Sequence, residues 1–208
     1  MNENESPITH LADHPVAPAS ELLSQDSDDP LERIPDAVRV DFHHGLAGQR
    51  CLKSRLHFEA GDVLAGFFAK RHSRTPHRMT VQTGESSHIE LGPTCIELVN
   101  HSCDPNVFFD VVRFELVALR TIEPGDELTF FYPSTEWRME SPFRCECGSP
   151  RCLGLIDGAG RMGRDKLAGH RLSAHIHALL DAHERERREE HAFEIGLLPA
   201  SLLPGFAF

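Results

Sequence analysis

Tyrosine occurs once in the 208 residues, at Tyr132, and lysine three times, at Lys53, Lys70 and Lys166. No apolar run approaches the ~20 residues that a membrane span needs. The opening MNENESPITHLADHPVAP has neither a basic nor an apolar stretch, so it does not read as a secretory signal. Bases are scarce beside acids, 21 Lys+Arg against 32 Asp+Glu, for a formal net charge of −11. Phosphate neutralisation needs clustered bases, so direct nucleic-acid binding is not expected. With no secretory signal, six cysteines suggest metal or catalysis before disulfides. An intracellular protein is expected, cytoplasmic in a bacterium, with the nucleus open in a eukaryote. The arginine-heavy base usage hints at a GC-rich coding genome.

The acidity is uneven. Residues 1–36 hold nine acids and one base, Arg33, so this leader carries −8 and the remainder −3. The leader is rich in Pro, Ser and Asp with no sustained period, and reads as disordered. From Ala37 the texture changes. AVRVDF, CLKSRLHF, VLAGFFAK, VQTG with HIELG, NVFFDVV, FELVALRTI and LTFFY read as short strands separated by turns such as EPGDE. RHSRTPHRMT reads as a polar connector. Many short strands at this spacing imply a mainly β, β-rich α+β fold. A helical period appears only after about Asp165, with Leu167, Leu172, Ile176, Leu179, Leu180 and His183 expected on one face. ERERREE reads as a solvated helix face, and the apolar end FEIGLLPASLLPGFAF as a tail docked on its own core, the alternative being one that contacts a second subunit or covers a substrate groove.

Three segments carry chemistry. CECGSPRC places Cys145, Cys147 and Cys152 as C-x-C-x4-C. Adjacent cysteines of this kind pair badly as disulfides but can share one zinc, which takes four tetrahedral ligands. Cys103 in LVNHSCDPN is the best placed fourth ligand; the alternative is three unrelated free thiols and a buried Cys103. LVNHSCDPN itself crowds Asn100, His101, Ser102, Cys103 and Asp104 into one short loop, and such polar density needs partners. GDELTFFY runs from a turn into a strand ending at Tyr132.

Taken together, NHSCDPN, GDELTFFYPSTEW and FRCECGSPRCLGLI resemble the SET and post-SET segments of protein lysine methyltransferases, and the small stand-alone SET proteins of microbes. The resemblance runs from Val38 to Ile156. It implies a SET fold of small sheets around a pseudoknot, a zinc knuckle and a C-terminal helix. The divisions are then a leader over 1–36, a SET domain over 37–140, a post-SET zinc segment over 141–157, and a helix with apolar tail over 158–208. It implies S-adenosyl-L-methionine as methyl donor, touched by Asn100, His101, Tyr132, Arg50, Cys51 and Phe143. Tyr132 is the implied catalytic residue, and Phe130 and Phe108 line the implied substrate pocket. One structural Zn²⁺ falls to Cys103, Cys145, Cys147 and Cys152. The expected acceptor is the nitrogen of a lysine in a protein or peptide, or of a small-molecule amine. A non-catalytic SET-like binding module and a donor-dependent reaction on a metabolite are the competing readings. Phenylalanine at Phe130 stands where a tyrosine would favour a single methylation, so di- or trimethylation is expected.

The match has two departures. AGQRCLKS puts Gln49 and Cys51 where the family has glycines that admit the donor. The insert before NHSC, roughly residues 70–92, is short and has no tyrosine, which points away from a histone tail.

Overall fold

The computed structural model describes residues 35–42 and 50–195. The expectations for the leader, for Gln49 and for the tail beyond Ile195 fall outside these residues.

Alternating apolar residues give β1 (Val38–Phe42), which pairs antiparallel with β2 (Arg50–Ser54). VLAGFFAK forms two strands rather than the single one its composition suggests. β3 (Val63–Gly66) and β4 (Phe68–Ser73) part at Phe67, whose backbone N–H donates to the carbonyl of Phe114 at 2.9 Å. The break has a packing cause. The Phe67 ring lodges between Phe109 and Phe114, each 5.4 Å away, while the chain passes from one sheet to another. β4 extends into RHS, so the first three residues of the expected polar connector are strand.

The expected hairpin of β5 (Thr80–Gly84) and β6 (Ser87–Gly92) forms, and β4 joins it in the order β4-β6-β5. A 3₁₀ turn over Thr94–Leu98 leads to β7, which is only Asn100–His101. β8 (Val107–Asp110) and β9 (Glu115–Ala118) form a hairpin that β3 completes in the order β3-β9-β8. β10 is Thr129–Phe130, shorter than LTFFY suggests, and a 3₁₀ turn takes over at Tyr132. β10 runs parallel to β7, with Thr129 opposite Asn100 and Phe130 opposite His101. β11 (Phe143–Arg144) and β12 (Leu155–Ile156) enclose the cysteine knuckle.

Two short helices, α1 (Ala159–Met162) and α2 (Arg164–Leu167), precede α3 (Ala174–Glu194). Leu167 and Leu172 therefore lie ahead of α3 and not on its face. Ile176 and Leu180 are the buried residues of that face, and His183 is exposed, its ring edge-on to Trp137. The ERERREE run is exposed along α3, as expected of a solvated face. No helix among the described residues is long and apolar enough to cross a membrane.

The core has two parts. The first joins the strands through Leu52, Ile89, Ile96, Phe109, Leu116, Ile122 and Leu128. The second joins Cys103, Phe131, Cys145, Ile156, Met162, Ile176 and Leu180, with Trp137 packed against it. Their seam runs along residues 130–132, because Phe130 and Tyr132 face the first part and Phe131 the second. Glycine is required where the knuckle returns to this seam. A Cβ on Gly158 would lie 2.4 Å from the Trp137 carbonyl oxygen, which is backbone and cannot rotate away. Gly158→Ala is therefore expected to lower stability by about 1–3 kcal/mol in urea unfolding; wild-type stability would refute this contact.

Candidate functional site

The site is built where β7 and β10 meet. Ladder bonds continue past the short strands. The N–H of Ser102 donates to the Phe130 carbonyl at 3.0 Å, and that of Asn106 to the Thr129 carbonyl at 3.1 Å. The buried Asn106 side chain closes the pairing. Its amide donates to the Glu127 carbonyl at 2.8 Å, and its oxygen accepts from the Thr129 N–H at 2.8 Å. Asn106 thus locks NHSC beside the strand that leads to Tyr132. Sequence reasoning gave it no role, although it stands within the motif.

Asn100 reaches the other way. Its side-chain amide donates to the Arg50 carbonyl at 3.1 Å and to Oε1 of Glu127 at 2.9 Å. Arg50 is thereby brought to the site through its backbone. Cys51 is fully buried and burial pushes its thiol up to about 11, so it is inert there as a nucleophile.

His101 sits at the centre. Phe131, Tyr132 and Phe143 surround its ring at centroid distances of 5.7, 5.1 and 5.5 Å. Nδ1 accepts from the Tyr132 N–H at 3.3 Å, which leaves the proton on Nε2, 3.4 Å from Cys103 Sγ. Burial, then the neighbouring His170, pull its pKa down to about 4, so the ring is neutral. One imidazole therefore links the aromatic cluster to the thiol cluster.

Tyr132 packs against Phe130 at 4.6 Å and Phe143 at 5.9 Å. Burial pushes its phenol up to about 12, while the Arg78 guanidinium pulls the other way. The hydroxyl therefore stays protonated at neutral pH. Phe130 and Phe109 stack edge-on at 4.5 Å. Phe108, expected in the same pocket, is not brought there. Successive strand residues face opposite sides, and Phe108 lies beneath the Arg171 guanidinium at 4.2 Å. Phe109 takes the expected place beside Phe130.

The sulfurs of Cys103, Cys145, Cys147 and Cys152 all lie within 4.8 Å of one another. Tetrahedral zinc with ~2.3 Å bonds separates its sulfurs by about 3.8 Å. Cys103 and Cys145 stand 3.8 Å apart, and the Leu153 N–H points at Cys103 Sγ from 3.4 Å. Burial pushes the Cys103 thiol up to about 11, an ionisation cost that a divalent cation offsets. The donor set fits zinc, and the alternative of unrelated thiols does not fit the geometry.

Sequence reasoning passed over the strap behind Tyr132. The carbonyl of Tyr132 accepts from the N–H groups of Thr135 and Glu136, each at 3.1 Å. Buried Glu136 Oε1 accepts from the Gln82 N–H at 2.7 Å and from Thr135 Oγ1 at 3.2 Å. Gln82 Oε1 in turn accepts from the Trp137 N–H at 2.8 Å. β5 is thus tied to the turn after Tyr132. The available signal was a lone acid between Thr135 and Trp137.

A model of the SET domain matches residues 11–133, which is more than half of the chain. The chain belongs to the SET-domain family. Of the thiol cluster, Cys103 lies within the matched segment and Cys145, Cys147 and Cys152 lie beyond it; the cluster is consistent with a post-SET zinc-binding motif. The methyltransferase flvH of Aspergillus flavus is 44% identical over 120 residues, which is 57% of this chain and 67% of that protein. The H3 lysine-36 specific histone-lysine N-methyltransferase of Saccharomyces cerevisiae is 29% identical over 44% of this chain and 13% of that enzyme. The crystal structure of KRYPTONITE in complex with mCHG DNA and SAH has a TM-score of 0.44 and 22% identity, covering 53% of this chain and 27% of that one. The chain thus spans two thirds of the Aspergillus relative and a small part of the histone enzyme.

Two outcomes are expected here. Metal analysis of the purified protein should find one zinc per chain, lost in Cys147→Ser together with the native fluorescence of Trp137; a clean metal-free preparation would refute the four-thiol site. The second concerns Glu136, whose carboxyl burial raises to about 7 from 4.5. A raised carboxyl pKa means that the folded state binds the proton more tightly. Its stabilisation is present below about 4.5 and is lost as pH rises through about 7. Glu136→Gln keeps an acceptor oxygen and removes this dependence. The stability difference between variant and wild type should therefore grow across that window, by on the order of 3 kcal/mol; a difference flat with pH would contradict it.

Proposed function

We propose that the chain transfers a methyl group from S-adenosyl-L-methionine to the nitrogen of a lysine in a protein or peptide. The observation that carries this reading is the convergence of the His101, Tyr132 and Phe143 rings at the β7–β10 pair. Clustered aromatic faces suit a purine-bearing sulfonium. The names of the relatives agree with it: one is a methyltransferase and another a histone-lysine N-methyltransferase.

S-adenosyl-L-methionine supplies the electrophilic methyl group on its sulfonium. Asn100, His101 and Phe143 hold it, with Arg50 and Cys51 contributing backbone rather than side chain. An amine attacks only when neutral, and free lysine has a pKa of ~10.4. Phe130 and Tyr132 wrap the amine in a largely apolar wall, which favours its neutral form. Tyr132, with its phenol held at about 12, acts as a hydrogen-bonding group and not as a base. Its oxygen accepts an N–H from an amine that still carries one and so turns the lone pair toward the methyl group. The C–S bond breaks as the N–C bond forms, S-adenosyl-L-homocysteine leaves, and the alkylammonium product releases its proton to solvent. Phe130 offers no competing hydrogen bond, which leaves room for a second and a third methyl. Zinc held by Cys103, Cys145, Cys147 and Cys152 would fix the wall that begins at Phe143.

A second reading, a small-molecule amine as acceptor, is favoured by two observations. The relative covered over two thirds of its length is named only a methyltransferase, and the β5–β6 hairpin is a short insert.

Tyr132→Phe tests the assigned role. It should bind S-adenosyl-L-methionine as the wild type does in calorimetry, yet transfer label to a lysine peptide mixture on the order of 10²-fold more slowly. Wild-type transfer by this variant would sink the role of Tyr132. Wild-type protein that does not bind the donor would sink the reading as a whole.

A further inference from the structure

From Val63 to Gly84 this acidic chain contains no Asp or Glu, while Lys70, Arg71, His72, Arg74, His77 and Arg78 follow one another closely. The acids that face this connector come from other elements. Glu90 on β6 pairs with Arg71 at 3.2 Å and His77 at 3.4 Å. Glu140 accepts from the backbone N–H of Arg78 at 2.9 Å, so it holds the loop without engaging the guanidinium. Arg74 and Arg78 are exposed, and no ion pair engages either guanidinium among the described residues.

The connector is held in place beside the proposed reaction centre. Glu140 lies in the segment that follows Tyr132. Two residues beyond β5's first, Gln82 is bonded to Glu136 and Trp137 of that same segment. A basic face so placed repels basic flanking residues and attracts carboxylates.

Resting on the methyl-transfer reading, we propose that Arg78, with Arg74, selects acceptors whose amine is accompanied by carboxylates. Two sources share this chemistry: acidic residues flanking a lysine in a peptide, and the carboxylate of a free amino acid.

The test uses the zinc-loaded full chain with labelled lysine peptides of one length, flanked by Asp and Glu or by Arg and Lys, and with lysine itself. Peptide binding is read by anisotropy without the donor, and transfer with it. Acid-flanked peptides should bind about fivefold or more tightly than basic-flanked ones, with the preference shrinking at high salt. Arg78→Glu and Arg74→Glu should erase or reverse it while donor affinity stays at the wild-type value. Transfer to lysine itself that Arg78→Glu abolishes would place the carboxylate on the amino acid; transfer confined to acid-flanked peptides would place it in the flanks; either supports selection by charge. A preference for basic flanks, or one that neither substitution changes, overturns it. Acid-selective binding without transfer to any acceptor would uphold the charge selection and overturn the methyl-transfer reading instead.

Discussion

The site depends on one short parallel pairing. β7 and β10 contribute two residues each, too few to persist alone. Asn106 makes the pairing hold, since its side chain satisfies a donor and an acceptor of the opposing strand. Losing it would strand buried polar groups, which costs more than the bonds themselves contribute. Everything of chemical interest hangs on that lock. His101 and Cys103 lie on one side of it, Tyr132 on the other, and the two parts of the core meet along it.

The second constraint is the thiol cluster. Cys103 comes from the loop after β7, and Cys145, Cys147 and Cys152 from a knuckle some forty residues later. Four thiols at this spacing are costly without a cation and become a rigid crosslink with one. The knuckle positions Phe143, and through it the open side of the aromatic cluster. His101 couples the two, since one ring nitrogen faces the backbone of Tyr132 and the other faces Cys103.

Local chemistry made much of this readable in the sequence. C-x-C-x4-C and NHSC declare ligands by spacing, alternation exposes β1, and short apolar runs between turn signals expose β5, β6, β8 and β9. What stayed hidden was set by tertiary contact. VLAGFFAK gives no sign that Phe67 will turn into the core and split it. Nothing in NVFFDVV says whether Phe108 or Phe109 faces Phe130, because a strand's register is chosen by its partners. The Gln82–Glu136–Trp137 strap joins residues more than fifty apart, and a lone buried acid carries no periodic signature. The helical face was misjudged for a related reason. α2 ends at Leu167, and Gly169, at φ +83°, turns the chain before α3 begins at Ala174, so apolar residues that share a period do not share a helix.

The central claim is that the thiol cluster and the β7–β10 pair together form one wall of the donor site. Calorimetric titration of S-adenosyl-L-methionine into zinc-loaded and zinc-stripped protein tests it most directly. Single-site binding to the loaded form that is lost on stripping is the expected result. Equal affinity in both forms would contradict the claim.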